Sequence, residues 1–361
     1  MTVFEINKQD IVHNFNEISH VTDAFIIPTL KANAYGLGAR DVSKLLRDTC
    51  GVTLFAVSRL EEAKDICDGA KVLLLSCYHD EASIKTIVDS DIICAVDSIG
   101  QVKRIANYAK ECGKVAKIHL KIDTGFGRFG FRFNDLSHVK SVFDVENVKV
   151  TGIFSHFSNA FCDNMQNTDL QLERFLTVCD ALTSAGFDIG VRHIANSSAA
   201  LKSHKYCLDA VRIGSALTGR VPFKTNVPLK RVGRFYSTIA DIRTLKRGQN
   251  LGYGNICKLK HDARVAVLCC GSADGVLIKK DYDVFRFIDV LRYGYHVLKM
   301  LFKNNMPTAR VNGQAVRFIG RPALTHTFID VSGIDCKCGD KAELNISPLY
   351  ISDKVKREYI D

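Results

Sequence analysis

The chain has 361 residues, enough for one large domain or two ordinary ones. Hydrophobic residues make up 47% and charged residues 24%, proportions that exclude a disordered protein and indicate a globular one. The net charge is +10, yet the basic residues alternate with acidic ones in short mixed runs. This pattern favours a solvated surface over a nucleic-acid interface.

The N-terminal segment and the cysteines indicate the compartment. The first ten residues are mixed and charged, so no secretory signal is predicted, and no run of roughly 20 apolar residues predicts a membrane span. The 13 cysteines are odd in number and include no Cys-x-x-Cys pair, which argues against a disulfide framework or a zinc site. We expect a cytoplasmic protein with reduced thiols that binds no metal, membrane or nucleic acid.

In the N-terminal part, short apolar runs alternate with segments of helical spacing. The apolar runs, each of strand length, lie at residues 25–30, 53–57, 72–75, 92–96, 116–122, 150–154, 191–194 and 210–213. The helical segments lie at 39–47, 59–67, 81–88, 99–111, 135–143, 170–185 and 198–205. Eight strands joined by helices predict an α/β fold, a (β/α)8 TIM-like barrel over residues 1–225. A doubly wound sheet is the alternative, but the first strand lacks the Gly-rich phosphate turn that normally follows it.

After about residue 223 the pattern is typical of β structure. Alternating apolar and polar runs at 236–242, 265–269, 317–319, 326–331 and 342–346 are separated by glycines. One segment differs, because Phe285, Ile288 and Leu291 recur at helical spacing. We therefore expect a predominantly β domain over residues 226–361, with an inserted helical segment at about 282–303.

Polar and charged residues follow the predicted barrel strands, where such barrels place their chemistry. They are Lys31, Lys121, Asp123, Arg128, His156, Asn196, Ser197, Arg212, Gly214 and Ser215. Two lysines, a histidine and an arginine favour an anionic ligand over a metal ion. Loops beginning at Asn196 and Gly214 offer backbone N–H groups to a phosphate. A strand-end lysine beside a phosphate site suits Schiff-base chemistry, which aldolases and pyridoxal-phosphate enzymes both use.

Several of these segments resemble one known family. Residues 30–38, Leu-Lys-Ala-Asn-Ala-Tyr-Gly-Leu-Gly, are similar to the pyridoxal-phosphate lysine segment of alanine racemases. Residues 121–130, Lys-Ile-Asp-Thr-Gly-Phe-Gly-Arg-Phe-Gly, resemble the motif at their fifth strand. Further matches follow in family order at 155–157, 193–199, 211–214, 252–254, 271–275, 320–321 and 339–340. The whole chain thus resembles the alanine racemases, which are pyridoxal-phosphate enzymes of fold type III.

The resemblance implies a role for each residue that binds the cofactor. Lys31 is expected to hold pyridoxal 5'-phosphate as a Schiff base and to act as acid/base on one face of the substrate Cα. Arg212 is expected to donate to the pyridine nitrogen, with His156 in the same network. The phosphate is expected to be held by Tyr35, Ser197, Gly214 and Ser215, beside Asn196.

The resemblance also implies the residues on the substrate side. Arg128 is expected to bind the substrate carboxylate, a task suited to a guanidinium group. Lys121 matches a lysine that is often carbamylated and orients this arginine, although an ordinary Lys–Asp pair is the alternative. Leu324 lies where the family has Cys-Met-Asp and is also expected on the substrate side. The β domain of one subunit is expected to cap the partner's barrel, which implies a homodimer with shared active sites.

The sequence departs from the family at the second catalytic position. Racemisation needs an acid/base on each face of Cα, and the family supplies one from the tyrosine of Gly-Tyr-Ala-Asp-Gly. Here Ser272 replaces that tyrosine, and a serine hydroxyl is a much weaker acid than a phenol. The second base is therefore expected to be Ser272, water, or a tyrosine of the inserted segment: Tyr282, Tyr293 or Tyr295.

Three functions are compatible with this sequence. The favoured one is a pyridoxal-phosphate-dependent racemase of alanine or a related amino acid. The second is a one-base lyase, decarboxylase or aldolase that uses Lys31 alone. The third is a non-catalytic pyridoxal-phosphate-binding protein. The racemase is favoured because the cofactor motifs are intact and only the substrate side departs from the family.

Overall fold

The structure, a computed structural model, describes residues 1–278, 285–302 and 308–361, without the side chains of residues 300–302. The chain divides into two compact units, Lys8–Val232 and a second formed by Met1–Asn7 with Gly233–Asp361. These units differ from the expected domains, residues 1–225 and 226–361, in two places: Met1–Asn7 belongs to the second unit, and the first unit extends to Val232. Strand β1 (Thr2–Asn7) belongs to the second unit because it pairs with two strands of that unit.

The unit Lys8–Val232 is built on eight parallel strands. In sheet order they are β2 (Phe25–Pro28), β10 (Ala210–Ile213), β9 (Val191–Asn196), β8 (Val148–Phe154), β6 (Ala116–Asp123), β5 (Ile93–Val96), β4 (Lys71–Leu74) and β3 (Leu54–Val57). A parallel bridge between Thr29 and Ala56 joins the two ends of this sheet. All residues of β5 and β10 are buried, as expected for strands covered on both faces. The predicted barrel is confirmed.

Helical segments connect these strands. They are α1 (Lys8–Ser19), α2 (Lys31–Tyr35), α3 (Ala39–Cys50), α4 (Glu81–Asp89), α5 (Ile99–Glu111), α6 (Leu136–Lys140), α7 (Gln166–Thr183) and α8 (Ser197–Lys202). Ser98 caps α5 by accepting a hydrogen bond from the Gln101 N–H. The helix expected at residues 59–67 is wrong in extent, since only a 3-10 turn forms at Glu61–Asp65. A two-residue strand β7 (Phe131–Arg132) pairs with β6.

Segment α2 is a left-handed turn that follows strand β2. Ala32, Asn33, Ala34 and Tyr35 have φ angles of 51°, 54°, 53° and 56°. A left-handed helical conformation costs an L-residue about 1–2 kcal/mol, so surrounding contacts must stabilise this turn. One such contact runs from the Ala39 N–H to the Asn33 Oδ1 at 2.7 Å. The turn carries Lys31 at its start and Tyr35 at its end.

The second unit is a mostly antiparallel sheet. In sheet order its strands are β14 (Ala263–Leu268), β17 (Thr327–Asp330), β16 (Gln314–Phe318), β15 (Thr308–Val311), β18 (Lys341–Leu344), β11 (Arg234–Leu245), β1 and β19 (Lys356–Ile360). Strand β11 also pairs with β14, so six strands form a closed sheet. Two short strands, β12 (Asn250–Leu251) and β13 (Cys257–Lys258), pair with each other. The predicted β domain is confirmed, and β1, β15 and β19 are strands that the pattern did not indicate.

The inserted segment contains one described helix, α9 (Phe287–Phe302). Tyr293 and Tyr295 lie on this helix and are exposed. Tyr282, the third tyrosine considered as a second base, lies outside the described residues. Helices long and apolar enough to cross a membrane are absent from the described parts of the chain.

Candidate active site

A cavity of about 400 Å³ lies at the carboxyl ends of the barrel strands. The predicted residues that line it are Lys31, Tyr35, Lys121, Arg128, His156, Asn196, Ser197, Arg212, Gly214 and Ser215. The lining residues that the sequence analysis did not include are Thr29, Ser58, Leu75, Ser76, Phe129, Phe154 and Ser198. Phe154 ends strand β8, so the strand-end rule that found the charged residues could also have found it.

The charges in this cavity have one sign. Lys31, Lys121, Arg128 and Arg212 line it, and no carboxylate occurs among the described lining residues. Positive groups that share a small cavity repel one another, and a bound anion relieves that repulsion. The cavity therefore suits a small molecule with more than one negative charge, such as a phosphate ester joined to a carboxylate.

Lys31 stands at the start of the left-handed turn, with its Nζ 5.6 Å from the centre of the Tyr35 ring. Burial lowers the pKa of Lys31, and the positive charges of Arg128 and Arg212 lower it further, while Glu62 acts in the opposite direction. A lowered pKa increases the fraction of neutral amine at physiological pH. The neutral amine is the form that attacks a carbonyl group, so the site is suited to Schiff-base formation.

Tyr35 and two loops form the other end of the cavity. Burial, aided by Glu62, raises the pKa of Tyr35 to about 12, so its phenol stays protonated and can donate a hydrogen bond. A Cβ on Gly214 would lie 2.3 Å from the Tyr35 Oη, so the tyrosine can approach this loop only because residue 214 is glycine. Ser197 Oγ accepts the Gly214 N–H at 3.0 Å. Asn196 caps α8 by accepting the Ser198 and Ala199 N–H groups.

These contacts refine the expected phosphate site. The Gly214 N–H already donates a hydrogen bond to the Ser197 Oγ. The main contribution of this glycine is therefore the space that its missing side chain leaves for Tyr35, rather than a hydrogen bond to a ligand. The hydroxyls of Tyr35, Ser197 and Ser215 all lie in the cavity lining. Hydroxyl groups donate hydrogen bonds that phosphate oxygens accept, so these three residues could hold a phosphate group.

Arg212 lies on strand β10 and is buried, with only 4% of its surface exposed. It donates hydrogen bonds to the carbonyls of Ser155, His193 and Ile194. It also contacts the Nδ1 atoms of His193 and His156 at 2.6 and 3.2 Å. Burial lowers the pKa of Arg212 to about 9, so the guanidinium remains charged at neutral pH. A charged donor is thus held rigidly in the wall of the cavity.

Lys121 and Arg128 come from strand β6 and the loop after it. The Lys121 Nζ donates to the Leu75 carbonyl at 2.8 Å, and burial lowers the pKa of this amine to about 8. The aspartate whose charge acts on Lys121 is Asp97, which raises the pKa of this amine against the larger effect of burial, whereas Asp123 is held by backbone groups. The Asp123 Oδ1 accepts three backbone N–H groups, from Gly125, Phe126 and Gly127. The Arg128 guanidinium lies over the Phe126 ring, 4.4 Å from its centre.

Ser272 and Leu324 belong to the β unit, where two loops bring them together. The Ser272 and Ala273 N–H groups donate to the carbonyls of Ala323 and Leu324, each at 3.0 Å. The Ser272 Oγ lies 3.5 Å from the Ala323 carbonyl. A carbonyl oxygen cannot remove a proton from a hydroxyl, so this contact does not activate the serine. Leu324 is 71% exposed.

The residues present fit a phosphate-bearing carbonyl cofactor. The cavity combines an amine of lowered pKa, hydroxyl donors at one end and a buried guanidinium in the wall. A (β/α)8 barrel with this lysine after its first strand defines a barrel enzyme of the pyridoxal-phosphate class.

The comparison with known proteins identifies the family. Residues 6–222 match the family model "Alanine racemase, N-terminal domain", and residues 232–348 match "Alanine racemase, C-terminal domain". The chain therefore belongs to the alanine racemase family, and its function is that of a pyridoxal-phosphate-dependent, alanine racemase-like isomerase.

Individual relatives are similar to this chain over most of their length. The alanine racemase of Clostridium tetani is 32% identical over 352 residues, which cover 94% of this chain and 84% of that protein. Alanine racemase 2 of Caldanaerobacter subterraneus is 32% identical over 344 residues, covering 92% and 82%. The structure of alanine racemase from Clostridium difficile 630 superposes with a TM-score of 0.87 at 26% identity, covering 99% of this chain and 95% of that one.

Proposed function

We propose that this protein racemises alanine or a related small amino acid, with Lys31 as the Schiff-base lysine and the acid/base on one face of the substrate. The observation that carries the proposal is the cavity itself, in which a lysine of lowered pKa lies among three further cationic groups. Curated relatives named alanine racemase support alanine as the substrate.

The residues of the barrel have separate tasks in this proposal. Pyridoxal phosphate, when bound, acidifies the Cα–H bond of an amino acid attached to it. Tyr35, Ser197 and Ser215 bind the phosphate through their hydroxyls, while Arg212 donates a hydrogen bond towards the pyridine nitrogen. Arg128 binds the substrate carboxylate. The Lys31 amine holds the cofactor before the substrate arrives and afterwards moves a proton on one face of Cα.

Arg212 is well suited to donating without giving up a proton. Its guanidinium is fixed by three carbonyls and two imidazoles and stays charged at neutral pH. Burial and nearby positive charge, led by Arg212, hold the pKa of His156 well below its usual value, so this imidazole stays neutral. The ring therefore accepts from Arg212 and adds no positive charge to the cavity.

The opposite face of the substrate requires a second acid/base or a different reaction. Ser272 stands where the family has tyrosine, and its described contact is with a carbonyl rather than a base. Tyr293 and Tyr295 of α9, Tyr282, which lies outside the described residues, and a water molecule are the other candidates. The weak acidity of Ser272 also keeps a one-base reaction of Lys31 as the second candidate function.

Lys121 is proposed to be carbamylated. Its pKa of about 8 leaves far more neutral amine at physiological pH than an ordinary lysine has, and only the neutral amine reacts with carbon dioxide. The described hydrogen bond of the Lys121 Nζ goes to the Leu75 carbonyl rather than to a carboxylate. Carbon-13 NMR with labelled bicarbonate should show a carbamate signal that disappears in Lys121→Ala.

We also propose a cytoplasmic homodimer with shared active sites. The 13 cysteines are odd in number and include no Cys-x-x-Cys pair, a pattern that supports a reducing compartment. Family membership supports the homodimer. Light scattering of the purified protein should give twice the 40.1 kDa chain mass, and a monomer with full activity would contradict the shared site.

The cofactor assignment is tested by reduction and peptide mapping. Borohydride treatment of the purified protein should attach a pyridoxyl group to the peptide that contains Lys31. Lys31→Arg, which keeps the charge but cannot form the bond, should carry no label. A label on a different lysine, or none on the unaltered protein, would contradict the proposal.

A further inference from the structure

One carboxylate lies just behind the cationic cavity. Glu62 belongs to the 3-10 turn that follows strand β3, and all of its described hydrogen bonds are to backbone N–H groups. Its Oε1 accepts the Ala32 N–H at 2.7 Å. Its Oε2 accepts the Ser58 and Arg59 N–H groups at 2.9 and 3.0 Å. The side chain therefore joins the segments that follow two neighbouring strands, β2 and β3.

The contact with Ala32 comes where the left-handed turn needs a partner. The first N–H groups of any helical turn lack acceptors within the turn itself. Ala34 and Gly36 donate to the carbonyls of Leu30 and Ala32, at 2.8 and 2.9 Å. The Ala32 N–H instead donates to Glu62. Because the turn is intrinsically unfavourable, an outside acceptor at its start shifts the balance towards the observed conformation.

We propose that Glu62 is a positioning residue, which holds the left-handed turn and thereby keeps the Lys31 amine and the Tyr35 hydroxyl directed into the cavity. The inference deepens the proposed function and rests on it for the role of Lys31. Hydrogen bonds to a charged acceptor are stronger than those to a neutral one. A carboxylate with three backbone donors is therefore a rigid link between the turn and strand β3.

The charge of Glu62 provides a readout that a purely structural contact would not give. Glu62 raises the pKa of Lys31, against the larger effect of burial and the effects of two arginines. It also contributes to the raised pKa of Tyr35. Removing the charge while keeping the shape should therefore lower the pKa of Lys31 further.

The neighbouring Glu61 offers a matched control. It lies in the same 3-10 turn and is exposed. Glu61→Ala and Glu61→Gln remove a carboxylate of the same length, one position away, from the same short element. The Glu62→Gln side chain keeps one acceptor oxygen, so it can accept a hydrogen bond either from the left-handed turn or from the residues after strand β3. The Glu62→Ala side chain can accept neither.

Hydrogen–deuterium exchange of the holoenzymes, read by mass spectrometry, tests the structural part. In Glu62→Ala, amide exchange in the peptide covering residues 31–36 should accelerate at least about tenfold, which corresponds to about 1.4 kcal/mol of local stability. Glu62→Gln should fall between this variant and the unaltered protein, and Glu61→Ala should stay within about twofold. If Glu62→Ala fails to fold, the amide exchange of Glu62→Gln is compared with that of Glu61→Gln instead. Equal exchange in the Glu62 and Glu61 variants would overturn the inference.

A pH titration of the cofactor absorbance tests the charge part. The transition of the nitrogen through which Lys31 holds the cofactor should move to lower pH in Glu62→Gln and stay in place in Glu61→Gln. No difference between the two variants would overturn the inference. If borohydride attaches nothing to Lys31 in the unaltered protein, the proposed function fails, while the exchange measurement still decides whether Glu62 holds the turn.

Discussion

Arg212 determines which nitrogen of His193 carries the proton inside the barrel. The Arg212 Nη1 lies 2.6 Å from the His193 Nδ1, and a guanidinium can only donate, so this nitrogen is an acceptor. The proton of His193 must then lie on Nε2, which is 2.9 Å from the His119 Nδ1. The result is a directed chain from Arg212 through two neutral imidazoles, with His193 also stacked on Phe154 at 4.9 Å.

Breaking the hydrogen bonds from Arg212 through His193 to His119 should destabilise the barrel. His193→Phe preserves an aromatic ring against Phe154 but leaves a buried guanidinium N–H and the His119 Nδ1 without their partner. An unsatisfied buried polar group costs about 1–3 kcal/mol, and more beside a charge. We expect the free energy of unfolding in urea to fall by about 2–4 kcal/mol. His20→Phe, at an exposed position, should change it by less than about 0.5 kcal/mol.

The same histidines predict a loss of stability in acid. Burial lowers the pKa of His119 to about 3 and that of His193 well below the usual 6.5. Below pH 6.5 the unfolded chain therefore binds protons at these positions that the folded protein does not bind. Each group should reduce the free energy of unfolding by about 1.4 kcal/mol per pH unit as the pH falls below that value.

Urea unfolding at several pH values between 7 and 5 measures this slope. His193→Phe should show a shallower dependence on pH, since one of the two groups is gone. A slope equal to that of the unaltered protein would show that His193 does not remain neutral in the fold.

The glycine at position 214 should be essential for binding the cofactor. In Gly214→Ala the new Cβ would lie 2.3 Å from the Tyr35 Oη, so the phenol must leave its place in the cavity. We expect retention of pyridoxal phosphate during gel filtration to fall at least about tenfold. Gly100→Ala is the control, because nothing lies within 4 Å of its added methyl group. Equal retention in both variants would argue against the role of Tyr35.

The barrel was predictable because its signal is local. Run 93–96 is apolar throughout, and run 210–213 is apolar except for Arg212, as is typical of strands buried on both faces. Strand β1 was harder to place because its partners, β11 and β19, lie more than 200 residues further along the chain. Strand β19 is rich in charged residues, so its sequence does not alternate as a half-buried strand should.

The sequence predicted the site residues that lie at the ends of the barrel strands. It did not predict the features of the site that depend on an unusual backbone conformation. Ten of the eleven barrel residues that the sequence placed at this site line one cavity, and Asp123 is not among the lining residues. The left-handed turn could not be predicted, because alanine and tyrosine rarely adopt a positive φ and Asn33 alone among its residues is of a type enriched there. The contacts of Glu62 depend on that turn and were equally hidden. The roles of the cavity-lining residues in binding and catalysis stay predictions.

The identity of the second base can be tested residue by residue. If Ser272 moves the proton, Ser272→Ala should lower kcat at least about hundredfold, which is the usual size of a general acid/base contribution. If Tyr293 or Tyr295 does so, Ser272→Ala should have little effect, and the corresponding change to Phe should produce the loss. Exchange measured on each enantiomer shows whether the lost proton transfer is on the face opposite Lys31, because each base serves one face. Full activity in all three variants would leave Tyr282 and water, and a fourth variant, Tyr282→Phe, would decide between them.

The central claim is that this protein inverts an amino acid at Cα by proton transfer. Incubating the purified holoenzyme with L-alanine and with D-alanine in D2O, while following deuterium at Cα and chirality together, tests it most directly. We predict that deuterium enters Cα and that each enantiomer yields the other. Deuterium incorporation with full retention of configuration would contradict a racemase and indicate that Lys31 acts alone.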